Sequence, residues 1–381
     1  MKRNNMRLLE LNVFVSLLVC TLVSSCTEHD KNVTTIRVSK AIDVGNERMD
    51  DFLEITHLIP IREPNMLIGN FDAIRLHDSL IYVMDKMQNK IHILNINGTR
   101  YSEINKIGSG PDEYSKIDDF DIDKEGNILI FCSSQKKILQ YTNRGQFLSQ
   151  ISVCSGTKIT ALSDKRIAVY RNIHSDTIVE IFDPAKKIRQ GFVWTDSRPN
   201  ALLQNGGNIL ETSEGIFVTN PFDYSLYQVS ENGFEEKLRF DFADLNLPEE
   251  FKNEKDLRKI LKMIQKNDKM LYLNNVNLHK DWCIMRNHSN DILFFNRNSF
   301  DLYLFSQLRS PLRQLLANPI HVHADGRIIA SVSSGNIQNA LIPTLSIHLN
   351  NYPFLDVLNS SEIEEYMEND WLVIGKIKMK W

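Results

Sequence analysis

The chain has 381 residues, of which 42% are hydrophobic and 24% are charged, and its formal net charge is −4. A mildly acidic chain has no general attraction for nucleic acid, and no block of lysine and arginine with interleaved aromatic residues occurs along it. These figures exclude a nucleic-acid-binding protein, and the length is ordinary for a large closed β structure.

The first 25 residues have the pattern of an export signal. Three basic residues precede a mostly apolar stretch at 11–23, which is shorter than the roughly 20 residues that span a bilayer. The ending Val-Ser-Ser-Cys resembles the lipobox of bacterial lipoproteins and predicts Cys26 as the lipidated first residue of the mature chain. The alternative is an ordinary secretory signal cleaved nearby. A transmembrane anchor is disfavoured because polar residues follow at once.

Residues 26–48 predict a polar tether between this lipid and the folded domain. Glu28 and Asp30 resemble the acidic export tags of surface lipoproteins in Bacteroidetes. The expected location is therefore the cell envelope, with the protein anchored in the outer membrane through its N-terminal lipid.

Cys132, Cys154 and Cys283 remain once the signal is removed and Cys26 is lipidated. They show no CxxC or metal-binding spacing, and an odd number in an oxidising compartment argues against a disulfide framework. We expect three buried, small apolar side chains, with a bridge between Cys132 and Cys154 as the alternative.

Internal repeats predict the fold. Residues 80–100 and 127–147 align without a gap as a short apolar strand, a polar loop, an alternating second strand and a turn with glycine, which is the pattern of a β-hairpin. The template recurs, and an isoleucine marks its first strand in six copies: Ile81, Ile128, Ile167, Ile216, Ile292 and Ile328.

A further strand precedes most copies, at 71–76, 119–122, 159–162 and 282–286. Each unit is then a meander of about four strands, and units of about 40–50 residues are typical of propeller blades. The sequence therefore predicts an all-β, six-bladed β-propeller over residues 49–381.

The interval between the fourth and fifth copies predicts a helical insertion at about 246–268. Pro248 suits a first helical turn, acidic residues follow it, and lysines lie near the other end. The helix is either a decoration packed on one blade or a lid over one propeller face.

Both ends of the domain look like strands. Residues 52–61 read FLEITHLIPI and residues 371–380 read WLVIGKIKMK. Because propellers commonly complete the last blade with strands from both termini, these two segments are predicted to pair and to close the ring.

The stretch IGSGPDEY at 107–114 raises the question of a phosphate site. Phosphate-binding loops lead into a helix whose N-terminus meets the anion, whereas this loop leads into the strand-like DFDID at 119–123. We therefore interpret it as a structural turn, formed by Gly108, Gly110, Pro111, Glu113 and Tyr114.

This glycine stretch, with IPI at 59–61, LIG at 67–69 and DFDID, resembles the six-bladed β-propeller lipoproteins of Bacteroidetes, which are related in shape to NHL-type propellers. The resemblance covers roughly residues 50–380, and Trp371 replaces a proline expected near the end. The resemblance implies an envelope location and a binding or scaffold role, and it does not imply a set of catalytic residues.

Some six-bladed propellers are hydrolases or lactonases with calcium in the central channel. Asp72, Asp119, Asp121 and Asp281 lie at or near predicted inner strands, so a calcium-dependent hydrolase is the alternative function; solvated strand ends are the simpler interpretation. His321 and His323 are two residues apart, so their side chains could share one strand face, and a two-histidine site is a further alternative. Otherwise no cofactor is expected.

Propellers usually bind through the loops of one face. The loops on the side of the glycine turn provide a mixture of aromatic and charged residues: Arg171, His174, Phe222, Asp223, Tyr224 and Arg297. The main hypothesis is therefore a non-catalytic envelope lipoprotein that binds a protein, peptide or glycan partner through this face.

Overall fold

A computed structural model describes residues 33–37, 40–43, 53–62, 66–171, 177–193, 208–212, 214–219, 224–230, 233–243, 246, 254, 256, 258–259, 262, 274–279, 282–286, 292–305, 321–322, 326–332 and 371–377. Every named secondary-structure element among them is a β-strand. The strands form six sheets, and the prediction of an all-β propeller is confirmed.

Three sheets consist of four antiparallel strands that follow one another along the chain. Sheet one contains β4 (Ala73–His77), β5 (Leu80–Asp85), β6 (Lys90–Asn95) and β7 (Arg100–Ile104). Sheet two contains β8 (Asp119–Ile122), β9 (Ile128–Cys132), β10 (Lys137–Tyr141) and β11 (Phe147–Ser152). Sheet three contains β12 (Gly156–Ala161), β13 (Ile167–Arg171), β14 (Thr177–Asp183) and β15 (Ile188–Val193).

The other three sheets each include a strand from the N-terminal region. Sheet four contains β16 (Asn208–Thr212), β17 (Gly215–Thr219), β18 (Ser225–Ser230), β19 (Gly233–Asp241) and β1 (Thr34–Arg37). Sheet five contains β20 (Asn274–His279), β21 (Trp282–Arg286), β22 (Ile292–Asn296), β23 (Asp301–Phe305) and β2 (Lys40–Asp43). Sheet six contains β24 (His321–Val322), β25 (Arg327–Val332), β26 (Trp371–Ile377) and β3 (Leu53–Pro60).

Each repeated isoleucine is the first or second residue of a largely buried strand. β9 and β22 are buried at every residue, because neighbouring sheets cover both faces of these strands. Apolar side chains of adjacent sheets meet in shared clusters, and one such cluster joins Tyr82 and Ile93 of sheet one to Ile130 of sheet two. The sheets are therefore held together by side-chain packing between their faces.

Successive sheets also contact each other through their first strands. β4 contacts β8, β8 contacts β12, β12 contacts β16, and β16 contacts β20. β24 in turn contacts β4, which joins sheet six to sheet one.

The predicted pairing of the two ends of the domain is confirmed. β26 pairs antiparallel with β3, from Trp371 opposite Pro60 to Ile377 opposite Leu53. β26 also pairs with β25, so the last strand of the chain lies inside sheet six and the early strand β3 covers its edge.

The predicted tether at 26–48 differs from the structure over its second half. β1 pairs in parallel with β19, with Ile36 opposite Phe240, and β2 pairs in parallel with β23. Ile36 is only 3% exposed and packs in the core cluster shared by sheets four and five. The segment therefore belongs to the fold, because it completes two sheet edges and inserts an apolar side chain between them.

The predicted helical insertion at about 246–268 lies mostly outside the described residues, and no helix is among the named elements of the described part. In the part of the chain that is described, no helix has the length and apolar character needed to cross a membrane.

Candidate functional site

An open cleft of about 800 Å³ lies between sheets two and three. That volume falls within the range of about 300–1,000 Å³ typical of ligand sites. One wall is formed by β9, β10 and β11 with the turn after β8, and the other by the two strand turns of sheet three at 162–166 and 183–186. The larger apolar side chains in its lining are those of Leu129, Ile151, Leu162 and Ile167.

The sheet-two wall carries a continuous row of hydrogen bonds. Gln140 Nε2 donates to Asp123 Oδ2 at 3.0 Å, and Ser149 Oγ donates to Gln140 Oε1 at 2.9 Å. Asp123 also accepts the backbone N–H groups of Glu125 and Asn127, which fixes the turn after β8. This wall is therefore held in place by its own hydrogen bonds and presents neutral amide and hydroxyl groups to a ligand.

The cleft rim carries paired charges. Lys165 Nζ lies 2.9 Å from Glu125 and so joins the turns of sheets two and three, and Lys186 Nζ lies 3.3 Å from Asp183. The hydrogen bond from Lys165 lowers the pKa of Glu125, and the backbone N–H of Lys186 is the main cause that lowers the pKa of Asp183. Both carboxylates are ionised at neutral pH, so they suit binding rather than proton donation.

The residues that line this cleft are not among those predicted from the sequence to bind a partner. Three of the predicted binding residues, His174, Phe222 and Asp223, lie outside the described residues. The sequence feature that could have identified the cleft is the high charge of three short turns: DKEGN at 123–127, SDKR at 163–166 and DPAKK at 183–187.

The described members of the predicted face do not form one site. Tyr224 is 9% exposed and its ring packs edge-on against Phe242 with 5.4 Å between centroids, so it belongs to the core. Arg171 ends β13 and pairs with the buried Glu180 at 3.3 Å. Arg297 lies partly buried in the turn after β22, in a different sheet.

The glycine loop uses its polar groups internally. Gly110 N–H donates to Glu113 Oε2 at 2.8 Å, and Gly108 N–H donates to the Tyr114 carbonyl at 3.0 Å. The Tyr114 side chain is fully buried, its hydroxyl lies 3.1 Å from the Ile104 carbonyl, and burial raises its pKa to about 12. Pro111 is exposed at the tip. This geometry is that of a structural turn, not of a phosphate cradle.

Neither loop glycine has a positive φ, so the backbone conformation does not require glycine at either position. The reason is steric: a Cβ on Gly108 would lie 1.9 Å from Glu113 Oε2, whereas a Cβ on Gly110 would lie 3.1 Å from the same atom. We expect Gly108→Ala to lower the free energy of unfolding by about 0.5–1.5 kcal/mol, because the flexible Glu113 side chain must move and give up its hydrogen bond from Gly110 N–H. Gly110→Ala should cost less. Thermal unfolding of both variants tests this, and equal effects would contradict the steric explanation.

The acidic residues near the inner strands are engaged in joining sheets. Asp119 Oδ2 accepts from Ile159 N–H and Asp121 Oδ2 accepts from Ala161 N–H, both at 2.9 Å, which links β8 to β12. Asp121 Oδ1 also accepts from Arg75 Nε at 3.0 Å, which links β8 to β4.

Burial raises the pKa of Asp119, although Arg75 opposes the shift, and burial lowers the pKa of the nearby Lys158. Asp72 accepts from Lys86 N–H at 2.7 Å, while Asp281 and His323 lie outside the described residues. No group of three or more His, Cys, Asp or Glu residues that could hold a metal ion occurs in the described part of the chain.

The three cysteines are free, and the alternative of a Cys132–Cys154 bridge is therefore wrong. Cys132 and Cys283 are fully buried, and Cys154 is half-buried. Burial raises the pKa of all three thiols, to about 12 for Cys132, which disfavours the reactive thiolate.

Solved structures with a similar fold come from Bacteroides. A protein of Bacteroides fragilis described as exported aligns at 17% identity with a TM-score of 0.64, over 91% of this chain and 100% of that one. A member of the DUF4221 family from Bacteroides vulgatus aligns at 10% identity with a TM-score of 0.53, over 86% and 99%. Virginiamycin B lyase of Staphylococcus aureus aligns at 14% identity with a TM-score of 0.41, over 67% and 75%, which is too distant for inference.

No curated protein matches the chain. The sequence profile of a domain family, described as a domain of unknown function, matches residues 33–376. That match begins one residue before β1 and ends inside β26, so it includes strands of all six sheets. The chain belongs to the DUF4934 family.

Proposed function

We propose that this protein is a non-catalytic lipoprotein of the cell envelope that binds a protein, peptide or glycan partner. The observation that carries the proposal is the cleft between sheets two and three, with its hydrogen-bonded amide and hydroxyl wall, its apolar lining residues and its paired charges. Such a combination suits recognition of a polar ligand with some apolar surface.

We also infer that the six sheets are the six blades of one ring, closed in sheet six. The contacts between first strands of successive sheets and the return from β24 to β4 support this arrangement. A closed ring is a rigid scaffold on which a cleft between two blades keeps its shape.

The envelope location rests on the sequence of the N-terminal region and agrees with the exported description of the structural relative from Bacteroides fragilis. Cys26→Ala is expected to move the protein from the membrane fraction to the soluble fraction, because the lipid attachment atom is lost. The measurement is fractionation of cells that express each form. A variant that still requires detergent for release would contradict lipidation at Cys26.

Partner capture tests the binding role. Envelope extracts are passed over immobilised protein comprising residues 27–381, and retained material is quantified. Gln150→Arg places a long cationic side chain in the cleft and should reduce the amount retained. Gln146→Arg, on an exposed residue outside the cleft, is the matched control and should have no effect. Equal retention by both variants would remove the cleft from the proposal.

The channel-metal alternative makes an opposite prediction. We expect that adding Ca²⁺, or removing it with EDTA, leaves the Tm unchanged, because Asp119 and Asp121 already accept backbone and Arg75 hydrogen bonds. Differential scanning calorimetry in the two conditions provides the measurement. A Tm increase with Ca²⁺ that EDTA reverses would favour a calcium-dependent hydrolase.

A further inference from the structure

We propose that the cleft binds an extended peptide segment of a partner protein, which adds to β11 as a fifth strand of sheet two. This inference deepens the proposed binding function and rests on it. It assigns the class of ligand, the strand that receives it and the backbone geometry of recognition.

The chain itself shows that such an edge accepts another strand. β19 is the fourth strand of sheet four, and β1 pairs with it in parallel from Thr34 opposite Leu238 to Arg37 opposite Asp241. β11 is the fourth strand of sheet two and ends that sheet, pairing with β10 on one side. Among the described strands none pairs with its other side, which therefore presents the same kind of backbone edge that β19 presents to β1.

Two neighbouring sheets show what normally covers a fourth strand. The turn between β6 and β7 packs on β3, where a Cβ on Gly98 would lie 1.9 Å from the Pro60 carbonyl oxygen. The turn between β10 and β11 packs on β7, where a Cβ on Gly145 would lie 3.2 Å from the Glu103 carbonyl oxygen. In both places the third-to-fourth-strand turn of one sheet rests on the fourth strand of the preceding sheet.

The corresponding turn of sheet three, DPAKK at 183–187, contains no glycine. This turn lies on one side of the cleft, with Pro184 and Ala185 in the lining, and β11 contributes Ser149 to Ile151 on the other. As far as the described residues show, the space that a turn occupies beside β3 and β7 is thus open beside β11. An extended strand needs about 4.8 Å of lateral separation from its neighbour, and the cleft is lined by three consecutive residues of the strand that would receive it, Ser149 to Ile151.

The side chains around β11 also favour a peptide. Phe147 and Leu148, at the start of β11, are 37% and 48% exposed and offer apolar surface next to the edge that an added strand would occupy, although the Phe147 ring also packs edge-on against Tyr141. No aromatic residue lines the cleft itself, so a flat stacking platform for a sugar ring is missing among its described lining residues.

The test is a selection of linear peptides of about 12 residues, displayed on phage, against residues 27–381 of this protein. Selected peptides are synthesised, and their Kd is measured with three proteins: the parent, Ala185→Trp, which fills the cleft from the turn opposite β11, and Lys124→Trp, an exposed neighbour outside the cleft. We expect Ala185→Trp to weaken binding by about tenfold or more and Lys124→Trp to leave it unchanged. Hydrogen exchange should slow at Phe147–Ile151 when peptide is bound.

Four outcomes overturn the inference. They are the absence of enriched peptides, peptides that bind Ala185→Trp normally, protection at strands other than β11, and a parent protein that forms dimers lost in Ala185→Trp, which would make a second copy the occupant. If neutral oligosaccharides bind and Ala185→Trp blocks them, strand addition is wrong while the proposed binding function stands. If envelope extracts yield no partner although selected peptides protect β11, the proposed function fails and the peptide site stands.

Discussion

Deletion of residues 371–381 is expected to abolish cooperative folding of the propeller. β26 lies between β25 and β3, so its removal separates the last strand pair of sheet six from the strand at its edge. Leu372 and Ile374 are fully buried against Ile59, Ile81 and Ile329, and burial of each such side chain contributes about 1.5–3 kcal/mol. The deletion also exposes the apolar face of sheet one, which invites aggregation.

The deletion is compared with removal of residues 378–381 alone, which lie beyond the last described strand. Both proteins are expressed without residues 1–26, and solubility and thermal unfolding are measured. The longer deletion should be insoluble or should lose its cooperative transition, and the shorter one should retain both. A soluble, cooperatively folding protein without residues 371–381 would show that pairing of β3 with β26 does not hold the ring together.

Much of this fold could be predicted because its signals are local. Hairpins such as β9–β10 consist of short, mostly apolar runs joined by a polar turn, and each signal falls within about 20 residues. The partnership of β3 and β26 spans more than 300 positions, yet it was predictable because both ends of a repeated domain showed strand patterns and a ring needs closure.

The role of β1 and β2 was not predictable in this way. Their sequences, TTIR and KAID, are short and partly polar, and nothing near them in the chain identifies β19 or β23 as a partner. Parallel pairing with strands about 200–260 residues away depends on where the ring places two sheet edges. A polar tether was therefore the simplest interpretation of the same residues.

The cleft illustrates a different limit. It exists because a turn of sheet three does not pack on β11, and sequence patterns report contacts better than their absence. A signal was nevertheless present in the repeat alignment. Gly98 and Gly145 occupy the same position in two units, both with positive φ, and the third unit has DPAKK there. In this protein, the unit that lacks the glycine at this turn is the one whose turn lies apart from the neighbouring sheet.

Ile36→Asp is expected to destabilise the propeller strongly, because β1 inserts this side chain between sheets four and five. Ile36 is 3% exposed and packs in one cluster with Phe240, Phe295 and Leu302. Truncation of a buried isoleucine costs about 2–5 kcal/mol, and a carboxylate at the same place adds the cost of burying a charge. Thr35→Asp is the matched control, since Thr35 is exposed on the same strand.

Deletion of residues 27–43, compared with deletion of residues 27–32, extends the same test to both strands. The longer deletion removes β1 and β2, uncovers the edges of β19 and β23 and takes Ile36 from the core, so we expect a lower Tm and a tendency to associate through the exposed edges. The shorter deletion should match the parent, because it ends before β1. The prediction is contradicted if the two deletions have equal Tm values and Ile36→Asp is as stable as Thr35→Asp. Residues 33–43 would then be a tether that does not stabilise the fold.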